Sequence, residues 1–186
     1  MSNSESMPWH PNATTDVPDI YVDYADLARF LSEQLWHDAD METKRIVRRV
    51  GHEKWGRHQC DGLLFAEHVI SLSCRHLQKI DALWSTYSRQ HFGLSIQLKI
   101  YRELGGTRHF DSGIWAKFWE RVGWMYTRFN YSLNSPVGHL PCLLSPDMVA
   151  LDSADGYSMW RRSGYESGST SYLFGFFFDR LELCGV

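Results

Sequence analysis

The chain lacks any apolar run able to cross a membrane. The longest, from about Tyr172 to Phe178, falls far short of the roughly 20 residues a spanning helix needs. No basic leader followed by an apolar stretch opens the sequence, which argues against secretion. The first residues, MSNSESMPWHPNATTDVPD, carry acids but no arginine, which argues against a plastid transit peptide. Excess positive charge is missing as well. Nineteen Lys and Arg against 22 Asp and Glu leave a formal net charge of −3, so no overall field favours nucleic acid. The four cysteines, Cys60, Cys74, Cys142 and Cys184, are widely spaced and form neither a CxxC nor a zinc-like set; a reducing compartment, the cytoplasm, fits them. A glycine-rich phosphate loop and a nucleophile elbow are both absent, and no enzyme is expected.

What is present is a chain of 186 residues, 44% hydrophobic and 22% charged, enough for one domain with a buried core. Eight Trp, nine Tyr and ten Phe make 15% of it aromatic, more than a small core needs, so some should face a flat ligand or a partner. Residues 1–19 are rich in Ser, Asn and Pro and read as a disordered tail, leaving 20–186 as the domain.

The stretch that organises the rest is Leu77 to Tyr101. Leu77, Ile80, Leu83, Trp84 and Tyr87 keep the three-and-four spacing of a helical face, with Ser73 placed to cap it. Phe92-Gly93 breaks the period, and Leu94, Leu98 and Tyr101, flanked by Ile96 and Ile100, restart it until Gly105-Gly106. Two helices therefore meet at a tight corner. Upstream, Asp23 precedes a helix with Tyr24, Leu27, Ala28, Leu31 and Leu35 on its apolar face. A second helix from about Asp38 stops at Gly51, making an antiparallel hairpin. Its run Lys44, Arg45, Arg48, Arg49 reads as a solvated face. Periodicity does not decide between helix and extended chain for Leu63 to Leu72. Asp111 or Ser112 caps a further helix ending at Gly123, and Tyr172 to Leu183 closes the chain, read as a helix with a strand as the alternative. Between Trp124 and about Ser171 no period survives, and a segment that long is usually functional or disordered.

Ile80-Asp81-x-Leu83-Trp84, then Ser88 and Phe92-Gly93-x-Ser95-x-Gln97, resembles the central signature of the genomes-uncoupled family of tetrapyrrole-binding proteins. Trp36-x-x-Ala39-Asp40-x-Glu42-Thr43 resembles the family's first motif. Val122-Gly123-Trp124 and Ser135-Pro136-Val137-Gly138-His139-Leu140-Pro141 resemble its later loop. Four motifs in order cover roughly residues 20 to 141. The resemblance implies an all-α fold: a single compact helical domain whose extended C-terminal loop region closes over a ligand cleft. It also implies non-catalytic binding of protoporphyrin IX or Mg-protoporphyrin, and a regulatory or delivery role in chlorophyll biosynthesis through the large subunit of magnesium chelatase, the protein itself being a monomer. Alternatives are a paralogue sensing a linear bilin or haem, and a ligand-free interaction module.

A porphyrin is a rigid aromatic plate with carboxylates on one edge, so its site needs apolar faces and cationic or backbone donors at the rim. On the resemblance, Ile96 belongs to a helical palm, and Phe129, Tyr131, Pro136, Val137, Gly138, His139, Leu140 and Pro141 to the closing loop. Trp124, Tyr157 and Trp160 supply further ring contacts. No basic residue lies between Cys142 and Asp152, which assigns the carboxylates to Arg161 and Arg162. His139 is a hydrogen-bonding turn residue or an axial metal ligand. Cys142 is an inert thiol, a nucleophile, or a thioether partner for a bilin vinyl group. Asp40, Glu42 and Asp81 read as helix-terminal or packing carboxylates rather than an acid–base pair.

Overall fold

The structure is a computed structural model and describes residues 20–55, 68–69, 72–107, 109, 111–125, 129–143 and 170–186. Among these there are helices and no strand: α1 Ala25–Ser32, α2 Trp36–Trp55, α3 Cys74–Tyr87, α4 Leu94–Glu103, α5 Ser112–Val122 and α6 Thr170–Leu183. The expected tail, residues 1–19, most of 63–72, and residues 144–169 lie outside this set.

The corner between α3 and α4 is central, as the interrupted period predicts. α1 packs on α2 and on α3, whereas α4 carries α5 and α6 on its other side. Gly93, at φ 147°, turns the corner. A Cβ there would stand 2.9 Å from Asp81 Oδ1, and that oxygen accepts hydrogen bonds from the backbone N–H and the hydroxyl of Ser95 at 2.8 and 2.9 Å. Asp81 thus holds the free first turn of α4 onto α3, a stronger role than packing alone. Ser88 closes the other half of the corner, its Oγ accepting from the Phe92 N–H at 2.8 Å.

Trp84, Phe92 and Trp36 form one buried aromatic cluster, with Trp36 stacked on Trp84 at 6.1 Å. Trp84 Nε1 donates to Thr43 Oγ1 at 2.9 Å, so the indole is buried without an unmet donor. On the far side Tyr101 stacks on Phe178 at 4.3 Å, and Phe118 stands edge-on to both rings.

The expected caps hold in position more than in bonding. Asp111 Oδ1 accepts from Ile114 N–H at 2.8 Å and Gly123, at φ 77°, ends α5. Ser73 stands at the N-cap of α3, but its side chain makes no capping bond.

Four expectations are corrected. α2 does not stop at Gly51 but runs through it to Trp55; Gly51 is buried, and in a packed helix one glycine costs only about 1 kcal/mol. Leu35 lies past the end of α1 and is 41% exposed instead of on its apolar face. Lys44 leaves the supposed solvated run for the interior. There its side chain, 5% exposed, pairs with fully buried Asp40 at 3.2 Å. Finally, Cys74 and Cys184 form a disulfide across 110 residues, a pairing invisible to spacing.

Candidate functional site

Residues 129–143 have no helical period, and beside a few turn bonds of their own many of their backbone polar groups are satisfied from outside the segment. Gly93 N–H donates to the Leu140 carbonyl at 3.1 Å and Gly138 N–H to that of His91 at 2.9 Å. Gln97 Nε2 donates to the carbonyls of both Gly138 and Pro141 at 2.9 Å, and His91 Nε2 to that of Ser135 at 2.8 Å. Trp124 Nε1 reaches the His139 carbonyl at 2.8 Å. From the hairpin, Asp40 Oδ1 accepts from Cys142 N–H at 2.7 Å. Each motif noticed in the sequence contributes a strut to this one loop. A buried backbone group left without a partner costs about 1–3 kcal/mol, so the struts fix the path from Ser135 to Cys142.

Two glycines let the loop approach this closely. A Cβ on Gly138, at φ 77°, would come within 2.7 Å of Ile100 Cδ1; one on Gly123 would come within 2.9 Å of Pro136 Cγ. The Leu140–Pro141 bond is cis.

His139 is 2% exposed. Its Nδ1 donates to the Val122 carbonyl at 2.7 Å, leaving Nε2 to accept from Asn130 N–H at 3.3 Å. Burial pushes this imidazole below its ordinary range, against the pull of the Val122 carbonyl. Both ring nitrogens are engaged, so the turn-residue reading describes His139 here and the axial-ligand reading finds no open nitrogen. Among the described residues no group of three or more His, Cys, Asp or Glu could hold a metal. Cys142 is buried and takes no part in the disulfide.

The sequence-derived site residues therefore separate into two sets. Gly138, His139, Leu140, Pro141 and Trp124 are buried and hold the loop. Ile96, Phe129 and Tyr131 are half-buried, while Pro136 and Val137 are exposed, Val137 by 48%. Phe129 lies 5.3 Å from the His139 ring and 6.2 Å from Tyr131, and Tyr131 stands edge-on to His37 at 4.8 Å. Tyr157, Trp160, Arg161 and Arg162 lie outside the described residues. A cleft of about 700 Å³ opens elsewhere, between Ile20–Tyr24 and the first half of α3, with Tyr21, Arg75 and Lys79 in its lining; none of the expected site residues lines it.

Two struts, His91 and Gln97, had no role assigned from sequence, and Asp40, read there as a helix-terminal or packing carboxylate, in fact holds the Cys142 N–H. Gln97 was detectable, because it occupies a core position between Leu94 and Tyr101 where an amide needs a partner. Asp40 and His91 find their partners across more than 40 residues, which spacing does not reveal.

The family sequence model described as GUN4-like matches residues 19–151. The chain is 32% identical over 125 residues to the tetrapyrrole-binding protein, chloroplastic, of Arabidopsis thaliana, covering 62% of this chain and 46% of that one. It is 29% identical over 129 residues to the uncharacterized protein ycf53 of Pyropia yezoensis, covering 64% and 50%. It spans about half the length of these curated relatives. The ligand-free structure of Arabidopsis thaliana GUN4 superposes with a TM-score of 0.55 at 29% identity, over 65% of this chain and 84% of that one.

Proposed function

Since the chain belongs to the GUN4-like family, matched over residues 19–151, we propose that it binds a cyclic tetrapyrrole, protoporphyrin IX or its magnesium form, and performs no chemistry on it. The observation that carries this reading is the division of labour in the loop. The buried residues spend their polar groups on holding the backbone, while the loop turns outward, between the polar Asn130, Ser132 and Asn134, the apolar and aromatic side chains of Phe129, Tyr131, Leu133, Pro136 and Val137. With Ile96 of α4 they offer flat and branched surface suited to a macrocycle face. Gly138, His139, Leu140, Pro141 and Trp124 serve the site by fixing that surface. Tyr157 and Trp160 would complete the apolar enclosure. Arg161 and Arg162 would meet the carboxylates, each charge-assisted contact being worth about 1.5–3 kcal/mol.

The role that follows is regulation or delivery in chlorophyll biosynthesis, with a monomer presenting its ligand to the large subunit of magnesium chelatase. The name of the Arabidopsis relative, a tetrapyrrole-binding protein, supports the ligand class. The same name places that relative in the chloroplast. No helix among the described residues is long and apolar enough to cross a membrane.

Titration tests this directly. Protoporphyrin IX and Mg-protoporphyrin should saturably quench tryptophan fluorescence, and Val137→Asp should weaken binding about tenfold or more by placing a charge against the macrocycle. Saturation by haem or a linear bilin alone would reassign the ligand, and no saturation with any of the four would leave the interaction module.

A further inference from the structure

We propose that the Cys74–Cys184 disulfide is a reversible redox clamp on the C-terminal helix, opened by a dithiol reductant and re-formed by exchange with a small-molecule disulfide, which takes the two electrons and leaves as two thiols. The proposal stands on the construction of this junction and does not depend on the tetrapyrrole reading. Cys74 is the first residue of α3 and Cys184 follows the last residue of α6; their Cα atoms lie 4.8 Å apart. The bond thus joins the central helix pair to the end of the chain.

Other contacts hold the same junction. Gln78 Nε2 donates to the Cys184 carbonyl at 2.5 Å, Arg180 Nε to that of Leu72 at 2.8 Å, and Arg102 pairs with Glu182. Phe177, Phe178 and Leu181 anchor α6 in the core. These contacts keep the two thiols adjacent after reduction, so the bond can re-form without a search.

Access and charge favour opening. Cys74 is only half-buried whereas Cys184 is buried, so an incoming thiolate meets Cys74 Sγ first. A bond forms between the reductant and that sulfur, the disulfide breaks, and its electron pair leaves on Cys184 Sγ, which takes a proton. The reductant's second thiolate then attacks its own sulfur in the mixed disulfide. It leaves as an intramolecular disulfide and releases Cys74 as a thiolate. Two electrons pass from dithiol to protein. The released thiolate sits at the N-terminus of a 14-residue helix beside Arg75, a setting that stabilises the reduced form. Pairs of this kind in reducing compartments are usually transient or redox-sensing.

Peptide mapping of the intact chain under non-reducing conditions should yield a Cys74–Cys184 cross-linked peptide. Dithiothreitol under native conditions should then expose both cysteines to alkylation together and lower Tm by roughly 10 °C, as loss of a loop-closing bond over so long a separation requires. It should also speed amide exchange in residues 72–78 and 180–186 about tenfold more than in 129–143, and excess glutathione disulfide, itself reduced to two thiols, should reverse all three. The C74S/C184S double variant should match the reduced protein and ignore dithiothreitol. Absence of the cross-linked peptide after oxidation would overturn the proposal, as would a bond that opens only in denaturant or a dithiothreitol response that persists in the double variant.

Discussion

At the scale of single residues, His139 shows how a motif position is used. Its turn was legible from Gly138 and Pro141, but its hydrogen-bond partners were not, because Val122 and Asn130 reach it only through the fold. Its depressed proton affinity has a signed consequence. The ordinary imidazole value of 6.5 applies to the unfolded chain, and burial holds the folded value lower. As pH falls below about 6.5 the unfolded state takes up a proton that the folded state refuses, so stability falls. The loss levels off once pH passes the folded value. The limiting slope is about 1.4 kcal/mol per pH unit. Urea denaturation of wild type and His139→Gln should therefore give stability curves that converge as pH drops from 7 to 5, since the glutamine cannot titrate. A constant gap across that range would show that His139 is not a buried neutral ring.

At the scale of elements, periodicity revealed α1 to α5 but misplaced the end of α1 and the reach of α2, and it left a strand open for α6. It revealed nothing of the loop, whose order comes from distant partners and not from a repeat. The basic run on α2 misled for a related reason: helical spacing places Lys44 within a turn of Asp40, but only packing shows that this face is buried. The Asp40–Lys44 pair links α2 to the loop through the Cys142 N–H. Asp40→Asn keeps an acceptor for that N–H yet removes the carboxylate charge that Lys44 pairs with in the interior, which should cost about 3–5 kcal/mol in chemical denaturation. Adding Lys44→Met should recover most of that loss. If Asp40→Asn alone costs less than about 1 kcal/mol, the pair is better solvated than its burial implies and the strut is weaker than described.

At the scale of the whole molecule, the four motifs belong to one construction: a hairpin, a helical corner and the end of α5 converging on residues 135–142. Their order along the chain was enough to indicate the all-α family, because several spaced motifs constrain a fold more than any one does. The division between residues that hold the loop and residues that face outward was not legible, since His139, Leu140 and Val137 differ in burial and not in any sequence pattern. The central claim is that this loop presents its outward face, with Ile96, to a tetrapyrrole. Amide exchange with and without protoporphyrin IX tests it most directly. Binding should slow exchange in residues 129–137 and at the start of α4, while residues 25–50 of the α1–α2 hairpin remain unchanged. Slowing confined to that hairpin, or to the cleft between Ile20–Tyr24 and α3, would contradict the account and place the ligand on a different surface.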